Sequence, residues 1–179
     1  MFKRTPLPNI LMAAFLVPAS IAVLFPTVQI PLVSMLVATL QFLDFGLHEL
    51  GHLGLGILGQ FISILGGTLG QLFLPTAVLI STLRRGQPVL VSFPIFWIGE
   101  NLTNIATYMA DAQAQALPLV SPLAFMGEPI HDWHYILSTL HLLWADKLLS
   151  AIVFGLGVLL LAYAIVRLFV PNLVGQALA

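Results

Sequence analysis

Apolar stretches long enough to cross a lipid bilayer dominate this sequence. A membrane-spanning helix needs roughly 20 apolar residues, because each residue advances the helix by about 1.5 Å across a hydrocarbon core about 30 Å thick. A helix also satisfies its own backbone hydrogen bonds, which lipid cannot do. We therefore predict about five transmembrane helices, at residues 7–25, 31–58, 61–83, 88–112 and 148–170.

The scarcity of charge supports the same fold class. Charged residues make up 7% of the 179-residue chain and hydrophobic residues 59%, whereas soluble domains carry about 25% charge. This balance excludes a water-soluble monomer, a disordered chain and a nucleic-acid-binding protein. The chain has no cysteine, which excludes disulfides and thiol nucleophiles. We predict an all-α, polytopic integral membrane bundle that forms one transmembrane domain over residues 1–179.

The segment before the last apolar stretch is too interrupted to span. Prolines and a glycine break it, and an apolar pattern resumes over residues 131–143. About 13 residues suit a re-entrant or interfacial helix rather than a full crossing. We expect one short helix there in addition to the transmembrane helices.

Two basic pairs leave the membrane orientation open. Lys3 and Arg4 precede the first apolar stretch, and Arg84 and Arg85 follow the third. Three full crossings between them would put the pairs on opposite sides and split the positive-inside signal. If one early segment does not cross, both pairs lie on the cytoplasmic side.

The second stretch carries ionisable residues, which are costly in lipid and are therefore candidate functional residues. His48, Glu49 and His52 form the pattern His-Glu-x-x-His. Two imidazoles one helical turn apart can bind one zinc ion, while the glutamate handles the proton of a bound water. We predict one Zn²⁺ per chain, with His48 and His52 as ligands and Glu49 as the catalytic residue. Asp44, one turn earlier, either orients a ligand imidazole or lies at the helix entrance.

A polar stripe follows the fourth stretch. Glu100, Asn104, Thr107 and Asp111 fall within about 60° of one another on a helical wheel, with Asn101 beside them. We expect this stripe to face the bundle interior or a wet cavity, because lipid would not tolerate it. Asp111 is a candidate metal ligand, and Asn101 or Asn104 could hydrogen-bond a substrate or a developing oxyanion. The alternative is that these groups hold helices together.

The third polar group is His131, Asp132 and His134. A catalytic zinc takes three protein ligands and keeps one position for water. His131 is our first choice for the third ligand, with Asp111, Asp132 and His134 as alternatives. A different interpretation is an interfacial stretch whose polar side chains meet lipid headgroups.

A His-Glu-x-x-His motif inside a transmembrane helix resembles the site-2-protease family of intramembrane metallopeptidases (M50-type). The resemblance implies zinc held by His48 and His52, with Glu49 as general base and acid. In that family the third ligand is the aspartate of a later Leu-Asp-Gly motif. This chain has no Leu-Asp-Gly, and Asp111 is the nearest equivalent.

A second likeness covers Trp97 to Asp111 and the later His131-Asp132-Trp133. This pattern is similar to that of small bacterial membrane proteins of the same type. It implies Asp111, His131 and Asp132 as site residues and the bacterial plasma (inner) membrane as the location.

The sequence therefore favours a membrane zinc hydrolase, and a metallopeptidase above other kinds. The expected partners are membrane lipids and a membrane-protein or peptide substrate, with no nucleic acid. The chain is small, which leaves room for a partner subunit that recruits the substrate. Two alternatives remain open: a hydrolase of lipid amides, and a non-proteolytic metal-binding subunit for assembly or transport.

Overall fold

The computed structural model describes residues 6–119 and 130–170, so Lys3 and Arg4 lie outside the described residues. Within the described ranges the chain is helical and has no strand, which confirms the predicted all-α class. The described residues form six α-helices: α1 Leu7–Leu24, α2 Pro31–Leu55, α3 Gln60–Arg84, α4 Ser92–Ala110, α5 Asp132–Thr139 and α6 Asp146–Val166. The 3₁₀ turns Gly56–Leu58 and Leu143–Ala145 precede α3 and α6.

Four of these helical segments are long and apolar enough to cross a membrane. They are Leu7–Leu24, Pro31–Leu58, Gln60–Arg84 and Leu143–Val166. α5 has eight residues and is the short helix that the sequence predicts. The predicted fourth span corresponds to α4, which has 19 residues but is less apolar than these four segments. α4 tolerates its polar residues because most of its surface is buried by other helices.

α2 and α3 form an antiparallel hairpin whose backbones touch. The turn between them ends at Gly59, whose φ of +99° lies in the region that favours glycine. A side chain at Gly51 would collide with the carbonyl of Gly66, and one at Gly70 would collide with the carbonyl of Leu47. Small residues permit this close packing in lipid, where van der Waals contact drives helix association.

α4 and α6 form a second antiparallel pair, and their contacts fix the two ends of the bundle. At one end Arg167 donates to the carbonyl of Pro88 and to the hydroxyl of Ser92. Towards the other end Ser150 donates to the carbonyl of Ala106. We call the first end the basic end, because Arg84, Arg85 and Arg167 lie there.

α1 packs against the basic end of the bundle. Phe15 contacts Phe93 and Phe96, and Asn9 donates to the carbonyl of Leu168. α1 has 18 residues and is about 27 Å long. The buried residues of α1 share one hydrophobic core with residues on or next to α2, α4 and α6. The buried members of this core are Ala13, Leu16, Ala19, Ala22, Val37, Val91, Ile95, Phe96, Leu161, Ala164 and Leu168.

The short connection from α1 to α2 explains this placement. Six residues separate Leu24 from Pro31, and six extended residues reach at most about 20 Å. The hairpin places Pro31 beside the end of α3, at the basic end. The start of α1 and its link to α2 are therefore both connected to the basic end. We infer that α1 does not traverse the bundle, although it is long and apolar enough to cross a membrane.

We predict that cysteines introduced at Pro6 and Gln29 are labelled from the same side of the membrane, and that one at Ala114 is labelled from the other. All three positions are exposed, and the native chain has no cysteine to interfere. The positive-inside rule further predicts that Pro6 and Gln29 are cytoplasmic. The measurement is labelling of intact cells with a membrane-impermeant maleimide, before and after permeabilisation. Labelling of Pro6 and Gln29 from opposite sides would contradict the arrangement of α1.

Candidate metal centre

Two histidine side chains of α2 meet at their Nε2 atoms. His48 and His52 are one turn apart, so both project from the same face of the helix. Their Nε2 atoms are 3.0 Å apart, and their ring centroids are 4.6 Å apart. The His-Glu-x-x-His spacing therefore brings together two nitrogen atoms that could share one ligand.

The opposite nitrogen of each ring is held by an acceptor on α3. His48 Nδ1 lies 2.8 Å from the side-chain oxygen of Gln71, and His52 Nδ1 lies 2.9 Å from the carbonyl of Ser63. A carbonyl oxygen only accepts, so each Nδ1 carries the proton. In the neutral rings the two Nε2 lone pairs then point towards each other. The two lone pairs repel each other unless a cation or a proton lies between the nitrogens.

Asp132 completes the cluster. Its Oδ2 lies 2.8 Å from His48 Nε2 and 3.4 Å from His52 Nε2. Ligands bound tetrahedrally to zinc at about 2.0–2.1 Å lie about 3.3 Å from one another. The three separations of 2.8–3.4 Å therefore suit one small metal ion. Two imidazoles and one carboxylate make a three-ligand set that leaves a position for water.

α5 delivers Asp132 to the two histidines. Asp132 is its first residue, and the backbone N–H of Asp132 donates to the hydroxyl of Tyr108 at 3.2 Å. Burial by itself raises the pKa of Asp132, but pairing with protonated His48 and His52 outweighs burial and keeps the pKa below its ordinary value. Asp132 is therefore a carboxylate in contact with the nitrogens, as a metal ligand must be.

Glu49 lies beside this cluster. Its carboxylate and the nitrogens of His48 and His52 lie within 4.8 Å of one another, so the three residues form a group that could hold a metal ion. Glu49 is half-buried. The side chains of His48 and His52 are 14% and 21% exposed. The cluster can consequently be reached from outside the protein.

His131 and Asp111 face each other next to the cluster rather than completing it. His131 Nδ1 accepts from the N–H of His134 and caps α5, while His131 Nε2 faces Asp111 Oδ2 at 3.4 Å. The His131 ring also stacks on Tyr108, with centroids 4.2 Å apart. Burial lowers the pKa of His131. Both of its nitrogens are directed to other groups, so the structure brings Asp132 rather than His131 to His48 and His52.

Asp111 organises the loop after α4. It accepts from the backbone N–H groups of Leu117 at 2.9 Å and Ala116 at 3.0 Å. These bonds, with His131 nearby, hold the pKa of Asp111 below its usual value. His134 lies against the same loop, where its Nδ1 donates to the carbonyl of Ala112. Asp111 and His134 thus support α5 without reaching the two Nε2 atoms.

The predicted polar stripe on α4 is divided between two environments. Glu100 and Asn101 are buried, whereas Asn104 is exposed. Glu100 accepts from Gln41 at 3.0 Å, and Asn101 donates to the carbonyl of Trp97 at 3.1 Å. Glu100 thus joins α4 to a partly buried polar group on α2, whereas Asn101 bonds back within α4.

Asp44 belongs to that buried polar group rather than to the metal ligands. Both of its carboxylate oxygens accept from the indole N–H of Trp97, at 2.9 and 3.0 Å. The Nδ1 of His48 is already held by Gln71. Asp44 therefore does not orient the His48 imidazole, which was one of its two expected roles.

Sequence analysis missed three residues of α3 that shape the centre: Ser63, Gly67 and Gln71. A side chain at Gly67 would lie 2.6 Å from ring atoms of both His48 and His52. The available signal was Gly66-Gly67-x-x-Gly70-Gln71, in which small residues and one glutamine interrupt an apolar span. The motif alone does not show that α3 packs against α2, and the role of these residues beside the histidines depends on that packing.

Comparison of the chain with known protein families, with curated proteins and with solved structures finds no match. The geometry of the centre is consequently the basis for any functional conclusion.

We predict that Asp132→Asn weakens metal binding by more than about 100-fold, since loss of a group that merely supports a ligand costs about 10–100-fold. His131→Asn should retain the metal, because asparagine also caps a helix. The measurement is metal affinity by competition with a chelator in detergent. Loss of metal in His131→Asn with retention in Asp132→Asn would reverse the assignment.

We also predict that Gly67→Ala abolishes metal binding, because its methyl group would occupy the space beside both Nε2 atoms. Gly54→Ala is the matched control, since a side chain there meets no atom within 4 Å. Alanine favours helix over glycine in both cases, so helix propensity cannot cause the loss. Equal metal content in the two variants would show that the cluster does not occupy this space.

Proposed function

We propose that this protein is a membrane-embedded metallohydrolase, a zinc-dependent peptidase of the kind that its His-Glu-x-x-His motif resembles. The observation that carries the proposal is the convergence of His48 Nε2, His52 Nε2 and Asp132 Oδ2 within 2.8–3.4 Å. Two imidazoles and one carboxylate suit zinc, and the third protein ligand leaves a position for water.

A bound zinc ion would supply a Lewis acid and lower the pKa of its water towards about 7. The residues of the chain have separate tasks around it. Gln71 and Ser63 fix the rings of His48 and His52 through their Nδ1 atoms. Tyr108 and the cap at His131 hold the first turn of α5, which positions Asp132.

Glu49 is the residue that we assign to proton transfer. It lies within 4.8 Å of the ligand nitrogens and is half-buried, so it can reach a water in the cluster. Its carboxylate would take the proton of the attacking water and deliver it to the leaving amine. A metal centre with a purely structural, assembly or transport role would not need this carboxylate.

The position of the cluster suggests how a peptide reaches it. His48 and His52 lie near the end of α2, opposite the basic end, and both are partly exposed. We propose that substrate approaches at that membrane face, as an extended peptide or an unwound transmembrane segment. The bacterial plasma membrane remains the proposed location, with the basic end towards the cytoplasm.

We predict that wild type and Glu49→Gln each bind about one zinc per chain and that His52→Ala binds none. Glu49→Gln should cleave fluorescence-quenched peptides at least about 100-fold more slowly, because general acid–base catalysis contributes about 10²–10⁴-fold. Leu50→Ala, an exposed neighbour, is the matched control. The measurements are elemental analysis and initial cleavage rates of protein in detergent micelles.

Several outcomes would contradict the proposal. Absence of stoichiometric metal in wild type would remove the metal centre. Iron instead of zinc would indicate an oxygenase-like site, since two histidines and one carboxylate also bind Fe(II). Zinc binding with cleavage that is unaffected in Glu49→Gln would leave a non-hydrolytic metal protein. Cleavage of a fluorescent N-acyl lipid but no peptide would favour the lipid amide hydrolase.

A further inference from the structure

A buried arginine without a carboxylate partner lies at the basic end. Arg167 follows α6 and is 8% exposed. One of its terminal nitrogens donates to the carbonyl of Pro88 at 2.7 Å and to the hydroxyl of Ser92 at 2.8 Å. Its Nε is buried and has no hydrogen-bond partner among the described residues. Both acceptors are neutral, so they satisfy hydrogen bonds without cancelling the charge.

Among residues 6–119 and 130–170, no aspartate or glutamate forms an ion pair with this guanidinium. A buried charge that is not compensated is costly, and arginine cannot relieve the cost by losing its proton. Asp44 and Glu100, two other buried ionisable residues, make hydrogen bonds to Trp97 and Gln41 instead. We therefore expect that an anion from outside the described residues neutralises the charge of Arg167.

Arg167 lines a cavity of about 580 Å³. This volume is in the usual range for small-molecule sites. Asn9, Thr82 and Gln87 are the other residues with polar side chains on its wall. The rest of the wall is made of prolines, leucines, valines and one glycine from α1, the end of α3, the α3–α4 connection and the residues after α6. The cavity thus joins one cationic group to a largely apolar surface.

The position of the cavity identifies the kind of anion. It lies where α3 ends and α4 begins, at one end of the apolar helices. Arg84 and Arg85 follow Leu83, a wall residue, and are exposed. Basic pockets between helices on the cytoplasmic side suit anionic lipid headgroups. A soluble phosphate would use the guanidinium but would have no use for the apolar wall.

We propose that this cavity binds one anionic phospholipid, with its phosphate at Arg167 and its acyl chains along the apolar wall. Arginine is well suited to phosphate because its planar fork can donate two parallel hydrogen bonds. The lipid would join α1, α3 and α6 at the end of the bundle where α1 packs against the other helices. The proposal is independent of the metal centre, which lies towards the opposite end.

The test is native mass spectrometry of the full-length protein in detergent, with added phosphatidylglycerol or phosphatidylcholine of identical acyl chains. We expect wild type to bind one phosphatidylglycerol and to prefer it over phosphatidylcholine. Arg167→Gln should bind phosphatidylglycerol at least tenfold more weakly. Arg85→Gln, which removes an exposed charge at the same end, is the matched control and should weaken binding much less than Arg167→Gln does.

A second variant and a second probe keep the test decisive. Thr82→Phe would fill the cavity without removing Arg167, and this variant should also lose the lipid. It tests the proposal even if Arg167→Gln fails to fold. Circular dichroism and size-exclusion chromatography report folding. Equal phosphatidylglycerol binding by wild type and Arg167→Gln would overturn the proposal, as would equal affinity for both lipids. Displacement of the lipid by millimolar inorganic phosphate would identify a free-phosphate site instead.

Discussion

The backbone contact between α2 and α3 determines where the groups of the candidate metal centre lie. Gly51, Gly66 and Gly70 allow the two helices to approach until carbonyl groups touch the opposite helix. At that distance Ser63 and Gln71 reach the Nδ1 atoms of the two histidines. A pair of helices separated by ordinary side chains would leave these imidazoles free to rotate. The centre is therefore a product of helix packing as much as of its ligands.

The centre also depends on a segment that does not belong to the hairpin. α5 carries Asp132 into contact with His48, and its orientation is set by the His131 cap, the Tyr108 hydroxyl and the loop that Asp111 organises. His131 Nδ1, the Tyr108 hydroxyl and the Asp111 carboxylate each take part in a hydrogen bond to another part of this segment. Such interlocking bonds are required in a membrane protein, because a polar group left without a partner in lipid is costly.

Charge is distributed unevenly between the two ends of the bundle. Arg84, Arg85 and Arg167 lie at one end, while Asp132 and Asp146 lie towards the other. Pro8 and Asn9, at the start of α1, lie near the α3–α4 connection at the basic end. The orientation of the chain therefore depends on α1, which is long and apolar enough to cross a membrane but is linked to α2 at the basic end.

The sequence by itself determined the fold class and the pairing of His48 with His52. Apolar stretches of this length require helices in lipid, and a spacing of four residues places two side chains on one face of any helix. Only the tertiary structure decided which acid meets the histidines, where Asp44 lies and how α1 is placed. His131 and Asp132 are adjacent in the chain but point in different directions from the start of α5, so the orientation of one short helix selects between them. That orientation depends on contacts with Tyr108 and the loop after α4, which are distant in sequence and leave no local pattern.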